Sequence, residues 1–102
     1  KIFAAPWFLA AKLQAYQGRG HDDVLMSNDI EDIIALLDGR EELIEEVKRA
    51  PFELRHFVSN QFTALIRLSA FQDVIQSSAQ DADRETLIYE RLKTLVGLGV
   101  TA

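Results

Sequence analysis

Two cations and two carboxylates in the first third of the chain are spaced so that they could do chemistry. Phe8, Lys12, Tyr16 and Arg19 recur at steps of four, four and three, which gathers them on one face of a helix. A lysine point charge and an arginine fork seven residues apart, with aromatic rings beside them, could hold phosphate oxygens. Asp29 and Asp32 follow three residues apart at the start of a second helical pattern. Carboxylates so placed could bind a metal, accept a proton, or pair with Lys12 and Arg19. Each feature also suits plain structure. Lys12 can snorkel from an amphipathic helix with Arg19 in solvent, and acidic residues in a first helical turn are favoured by the helix dipole by about 0.3–1 kcal/mol.

Other candidates carry less. His21 in a polar loop and His56 within a helical stretch have no acidic or nucleophilic partner at a diagnostic spacing. Gly18-Arg19-Gly20 follows a helix and lacks the lysine and the preceding strand of a phosphate loop, so it reads as a helix stop. Cysteine is absent, which excludes disulfides, thiolate metal sites and a cysteine nucleophile. No metal site is expected within this chain. Trp7, Phe8, Phe57, Phe62 and Phe71 stand at packing intervals on helical stretches and read as core or interface residues. Glu41, Glu42, Glu45 and Glu46, relieved by Lys48 and Arg49, read as a solvated helix face.

The elements that must position these residues are helical. Pro6 suits the first turn of a helix running over Trp7 to Gln17. Ser27-Asn28, with Glu31 three residues after Asn28, resembles a capping box. It opens a helix to about Leu37 whose apolar residues, Ile30, Ile33, Ile34 and Leu37, follow the helical template. Asp38, with Glu41 three residues on, could cap a charged peripheral helix carrying Leu43, Val47 and Ala50. Pro51 starts a longer helix with a broad apolar face of Leu54, Phe57, Val58, Phe62, Leu65 and Ile66, expected to be central to the core. A turn near Ser69 separates Phe71 to Ile75, and Gln76 to Asp83 reads as an exposed loop. A last helix carries Leu87, Ile88, Leu92 and Leu95 and is closed by Gly97 and Gly99. The expected fold is an all-α, compact bundle of about five helices in one domain over residues 1–102, with a short extended segment at residues 1–5.

The 102 residues are 48% hydrophobic and 26% charged, ordinary globular usage that excludes disordered and fibrous classes. A net charge of −5 argues against nonspecific capture of nucleic-acid phosphates over the whole surface, which leaves only a local basic patch as a route to them. No apolar run approaches the roughly 18 residues needed to span a bilayer, and the start lacks the pattern of a signal peptide, so a cytoplasmic, membrane-free protein is expected. The chain opens at Lys1 on the apolar Ile2-Phe3-Ala4-Ala5. That start is expected of a chain cut from something longer, or of a processed one.

Taken in order, Ala5-Pro6-Trp7-Phe8-Leu9-Ala10-Ala11-Lys12-Leu13-Gln14-Ala15-Tyr16, Arg19-Gly20 and Ser27-Asn28-Asp29-Ile30-Glu31-Asp32-Ile33 resemble the AbiEii-type nucleotidyltransferase family, which includes toxins of toxin–antitoxin pairs. That family's third motif is a helix with a lysine, a small residue and an arginine, which Lys12, Ala15 and Arg19 resemble. Its fourth commonly reads Lys-Asp-x-x-Asp-Leu, against Asn28-Asp29-Ile30-Glu31-Asp32-Ile33 here, with Asn28 in place of the basic residue. The resemblance covers about the first half of the chain; the rest is compatible with the family's helical tail.

The resemblance implies the C-terminal helical part of a longer enzyme that moves a nucleotidyl group from an NTP, with Mg2+, to tRNA or a protein acceptor. Lys12 and Arg19 would bind the nucleotide, and Asp29 and Asp32 would serve the catalytic site. The family's first motif, a Gly-Ser turn followed by paired metal-binding aspartates, is absent from these residues. Catalysis would therefore need an upstream catalytic half, and the chain alone is expected to be inactive and to bind no cofactor. The alternative is a noncatalytic helical interaction module, dimeric or contacting an antitoxin protein, that uses an apolar face of the last helices.

Overall fold

A computed structural model of the protein describes residues 5–18 and 27–99. Among them are six helices and no strand: α1 (Ala5–Gly18), α2 (Asn28–Gly39), α3 (Leu43–Lys48), α4 (Phe52–Leu65), α5 (Ser69–Ser78) and α6 (Ala82–Leu98). The all-α class is as expected, and the segment after Ser69 is a full sixth helix. The extended segment expected at residues 1–5 does not include Ala5, which is buried as the first residue of α1; residues 1–4 lie outside the described residues.

Helices α4 and α6 lie against each other at the centre. Helix α1 bridges α2 and α4, while α2 and α3 both lean on α6 and α5 closes one side. The seam is filled by Phe62 and Phe71 together with aliphatic residues from every helix, among them Leu9, Ile33, Val47, Val58 and Leu92. The radius of gyration of 12.7 Å is near the ~13 Å expected of a compact chain of about 100 residues. On the apolar face of the last helices expected as a binding surface, Leu54, Val58, Phe62, Leu65, Phe71, Ile88, Leu92 and Leu95 are buried in this core.

Local chemistry sets the helix ends. At the start of α2 the cap is Ser27 rather than Asn28: its backbone is extended and its hydroxyl accepts from the Ile30 N–H at 3.2 Å, which satisfies one of the unpaired donors of the first turn. Asp38 does not cap α3. It lies inside α2, and its carboxylate accepts from Arg84 Nε on α6 at 2.8 Å. Helix α3 begins after Glu42 with no side-chain cap, and a paired Arg40 and Glu46 clasp it at 2.8 Å and 2.6 Å.

The loop expected over Gln76 to Asp83 shrinks to Ala79–Asp81. Burial of Val74 and Ile75 carries α5 on to Ser78, and the Asp81 carboxylate caps α6 by accepting from the Arg84 N–H at 2.8 Å. At the other end α6 runs through Gly97 to Leu98, and Gly99 alone is its C-terminal cap. Gly99 is there because it must be small: a Cβ at this position would collide with Cβ and Oγ of Ser59 on α4. No helix among the described residues is long and apolar enough to cross a membrane.

Candidate functional site

The packing of α1 on α2 brings together three of the four residues singled out by spacing. Lys12 projects from the middle of α1, with Leu9, Leu13 and Tyr16 beside it fixed in the core. Asp29 and Asp32 stand in the first turns of α2, whose register is set by the Ser27 cap and by buried Ile30, Ile33 and Ile34. The Lys12 ammonium lies 2.8 Å from Asp32 Oδ2 and 3.7 Å from Asp29 Oδ1. It also sits 5.5 Å from the centre of the Phe8 ring, within reach of its negative face. Arg19 lies outside the described residues, as does His21.

The two carboxylates are not equivalent. The Asp29 side chain is 5% exposed and that of Asp32 49%. Asp29 is therefore built into the α1–α2 seam, where the positive end of α2 also favours it, whereas Asp32 faces water and can turn away. The hydrogen bond to Asp32 is the main cause that holds the Lys12 ammonium protonated beyond its usual range, with the charges of Asp32 and Asp29 helping and partial desolvation opposing. Among the described residues the site is one cation paired with one buried and one exposed carboxylate.

No group of three or more His, Cys, Asp or Glu side chains among the described residues could hold a metal ion. His56 is on the surface of α4, stacked on Phe52 at 5.5 Å and within 3.1 Å of the Asn60 amide.

A second feature lies on another face of α1. Trp7, read from its spacing as a core or interface residue, is 56% exposed. With Ala10 and Ala11 it faces Glu53, Leu54 and Phe57 of α4 across an open cleft of about 520 Å³. The signal available in the sequence was the composition of α1: Trp7, Phe8, Leu9, Ala10, Ala11 and Leu13 leave the helix apolar almost all the way round, more than one core-facing stripe requires.

In comparison with known proteins, no family model, no curated protein and no solved structure matches the chain.

Proposed function

We propose that the chain is the helical portion of a nucleotidyltransferase-like protein, and that its part in the reaction is to hold the phosphates of a nucleoside triphosphate on Lys12. The observation that supports this reading is the pairing of Lys12 with Asp29 and Asp32 across α1 and α2. The buried Asp29 keeps the ammonium in place, and the exposed Asp32 occupies the position that a phosphate oxygen would take. Binding is then an exchange of one anion for another at a cation already oriented, which limits the side-chain entropy lost on binding. Arg19, three residues beyond Tyr16 in the same helical spacing, would add a second phosphate contact. The metal and the carboxylates that hold it would come from an upstream catalytic half, and the acceptor would be a tRNA or a protein side chain. The setting is a cytoplasmic toxin–antitoxin-type system.

The test is a nuclear magnetic resonance titration of the isotope-labelled chain, complemented by the upstream catalytic half, with ATP in the presence and absence of Mg2+. Amide shifts confined to α1 and the start of α2 are expected, lost in Lys12→Ala. Asp32→Asn decides between a competing anion and a plain structural pair: removing a competitor tightens ATP binding, whereas loss of a structural pair leaves it unchanged. Shifts that ignore both substitutions, or no shifts at all, would refute the assignment.

A further inference from the structure

Helix α1 is apolar almost around its whole circumference, yet the other described residues cover only part of it. Leu9, Leu13 and Tyr16 enter the core, while Trp7, Ala10 and Ala11 are left lining the cleft against α4. A helix apolar on all sides is the composition of a helix enclosed on all sides. Trp7 gains most from enclosure, because tryptophan contributes a large apolar area and is among the residues that most often dominate binding energy at interfaces.

The chemistry of the cleft points to what encloses it. Its walls are two helices, and no strand edge exists among the described residues to which an extended peptide could add. The small side chains of Ala10 and Ala11 let another helix approach closely between the Trp7 and Phe57 ridges. Glu53 is the only charged residue among the described residues that line the cleft, and the chain carries a net charge of −5. A second copy of the chain suits the cleft poorly. A two-fold axis through it would bring the two Glu53 carboxylates towards each other. A stable homodimer also needs about 800 Å² from each partner, while beyond Trp7 the only large apolar residues exposed among the described residues are Phe52 and Leu68.

We propose that the α1–α4 cleft is the docking site for an amphipathic, basic helix of another protein. The apolar stripe of that helix packs on Trp7 and Phe57, and a lysine or arginine of it pairs with Glu53. This site is separate from Lys12, which leaves α1 on a different face toward α2, so it stands whether or not the chain holds a nucleotide.

Trp7 is the only tryptophan in the chain, so its fluorescence reports this cleft alone. The probes are an 18-residue leucine–lysine peptide of helical periodicity and its leucine–glutamate counterpart. The lysine peptide is expected to shift Trp7 emission to the blue, saturably and at least about tenfold more tightly than the glutamate peptide. Glu53→Lys should weaken the lysine peptide and reduce that preference. Ala11→Arg, an exposed position that fills the cleft without touching the core, should abolish the shift while the far-UV circular dichroism stays unchanged. The proposal is overturned if neither peptide shifts the emission, or if the response is the same in both variants. It is equally overturned if the chain alone shows a concentration-dependent blue shift with a doubling of mass, which would assign the cleft to a second copy.

Discussion

The Lys12 ammonium on α1 and the Asp32 carboxylate on α2 lie 2.8 Å apart, and the buried Asp29 stands behind them at 3.7 Å from the same nitrogen. The pairing raises the Lys12 pKa above 10.5, with the hydrogen bond to Asp32 as the leading cause. A raised pKa in the folded state means a stabilising contribution that is complete below the unfolded value and disappears as pH climbs through the folded one. Lys12→Met should therefore unfold at lower urea than the parent protein by an amount constant from pH 7 to about 10, and the gap should close at higher pH. Burial pushes the Tyr89 phenol up as well, with Glu85 and Asp73 adding to it, and this also weakens the fold in alkali. Tyr89 is common to both proteins and cancels in the difference. A gap that does not narrow at all as pH rises above 10.5 would show that the charge of Lys12 does not stabilise the fold.

Arg40 and Glu46 give the opposite dependence. The two-pronged hydrogen bond from Arg40 is the main cause that holds the Glu46 carboxyl below its ordinary 4.5, with burial opposing and the charges of Arg40 and Arg49 adding to the shift. A depressed pKa stabilises the fold above the unfolded value, and the contribution is lost as pH falls through the folded one. Arg40→Met is expected to cost stability at pH 7 and less at pH 2.5, read from urea midpoints. Because both side chains are partly solvated, 1 M salt should shrink the neutral-pH difference. A difference equal at both pH values would mean that the arginine contributes packing alone.

The meeting of Lys12 with Asp29 and Asp32 was legible only as one option beside metal binding and proton transfer. The Ile30, Ile33, Ile34 and Leu37 stripe says which way α2 faces, whereas α1 is apolar almost all round and announces no register. Asp38 was not legible. Its nearest acidic neighbour at a capping distance is Glu41, whereas its actual partner, Arg84, is 46 residues away on α6. Local spacing cannot reveal a contact made by tertiary packing. Trp7 reads from the sequence as core or interface, and periodicity cannot choose between them, because it says that a face is apolar but not whether the fold covers it. The beginning of α6 was hidden because Asp81, one of a polar run, is both a loop residue and the cap that ends the loop.

Arg91 and Arg84 together close the C-terminal end of α2. Arg91 Nη1 donates to the Leu37 carbonyl at 2.6 Å and to the Asp38 carbonyl at 3.1 Å, and Arg84 donates to that same Asp38 carbonyl and to its carboxylate. Cations are favoured there by the helix dipole, and these carbonyls have no partner within the helix. Arg91→Met keeps the stem and should cost about 1–2 kcal/mol; Arg84→Met, at a more solvated position, should cost about 0.5–1 kcal/mol. Since the two arginines share one acceptor, the double substitution should cost more than the sum. Urea unfolding of the four proteins measures this, and strict additivity would deny that the arginines act as a unit.

Gly99 and Ser59 set how closely α6 can approach α4. The Ser59 hydroxyl donates to the Val96 carbonyl at 2.6 Å, and the backbone of Gly99 lies against the same serine. The backbone of Gly99, at φ −81°, is one that any residue adopts, so the requirement for glycine is steric and not conformational. In Gly99→Ala the new methyl meets the Ser59 Cβ and Oγ, which must push the end of α6 away and break the hydrogen bond. A loss of about 2 kcal/mol is expected, which in a domain of this size lowers the melting temperature by roughly 10 °C. Ser59→Gly alone should also destabilise, because it removes that hydrogen bond and puts glycine inside a helix. Combined with Gly99→Ala it opens the space the methyl needs, so the double variant should melt well above the temperature expected from adding the two losses. Thermal unfolding followed by circular dichroism distinguishes the cases. Additive losses would mean that α4 and α6 have room to separate and that the close approach does not set their packing.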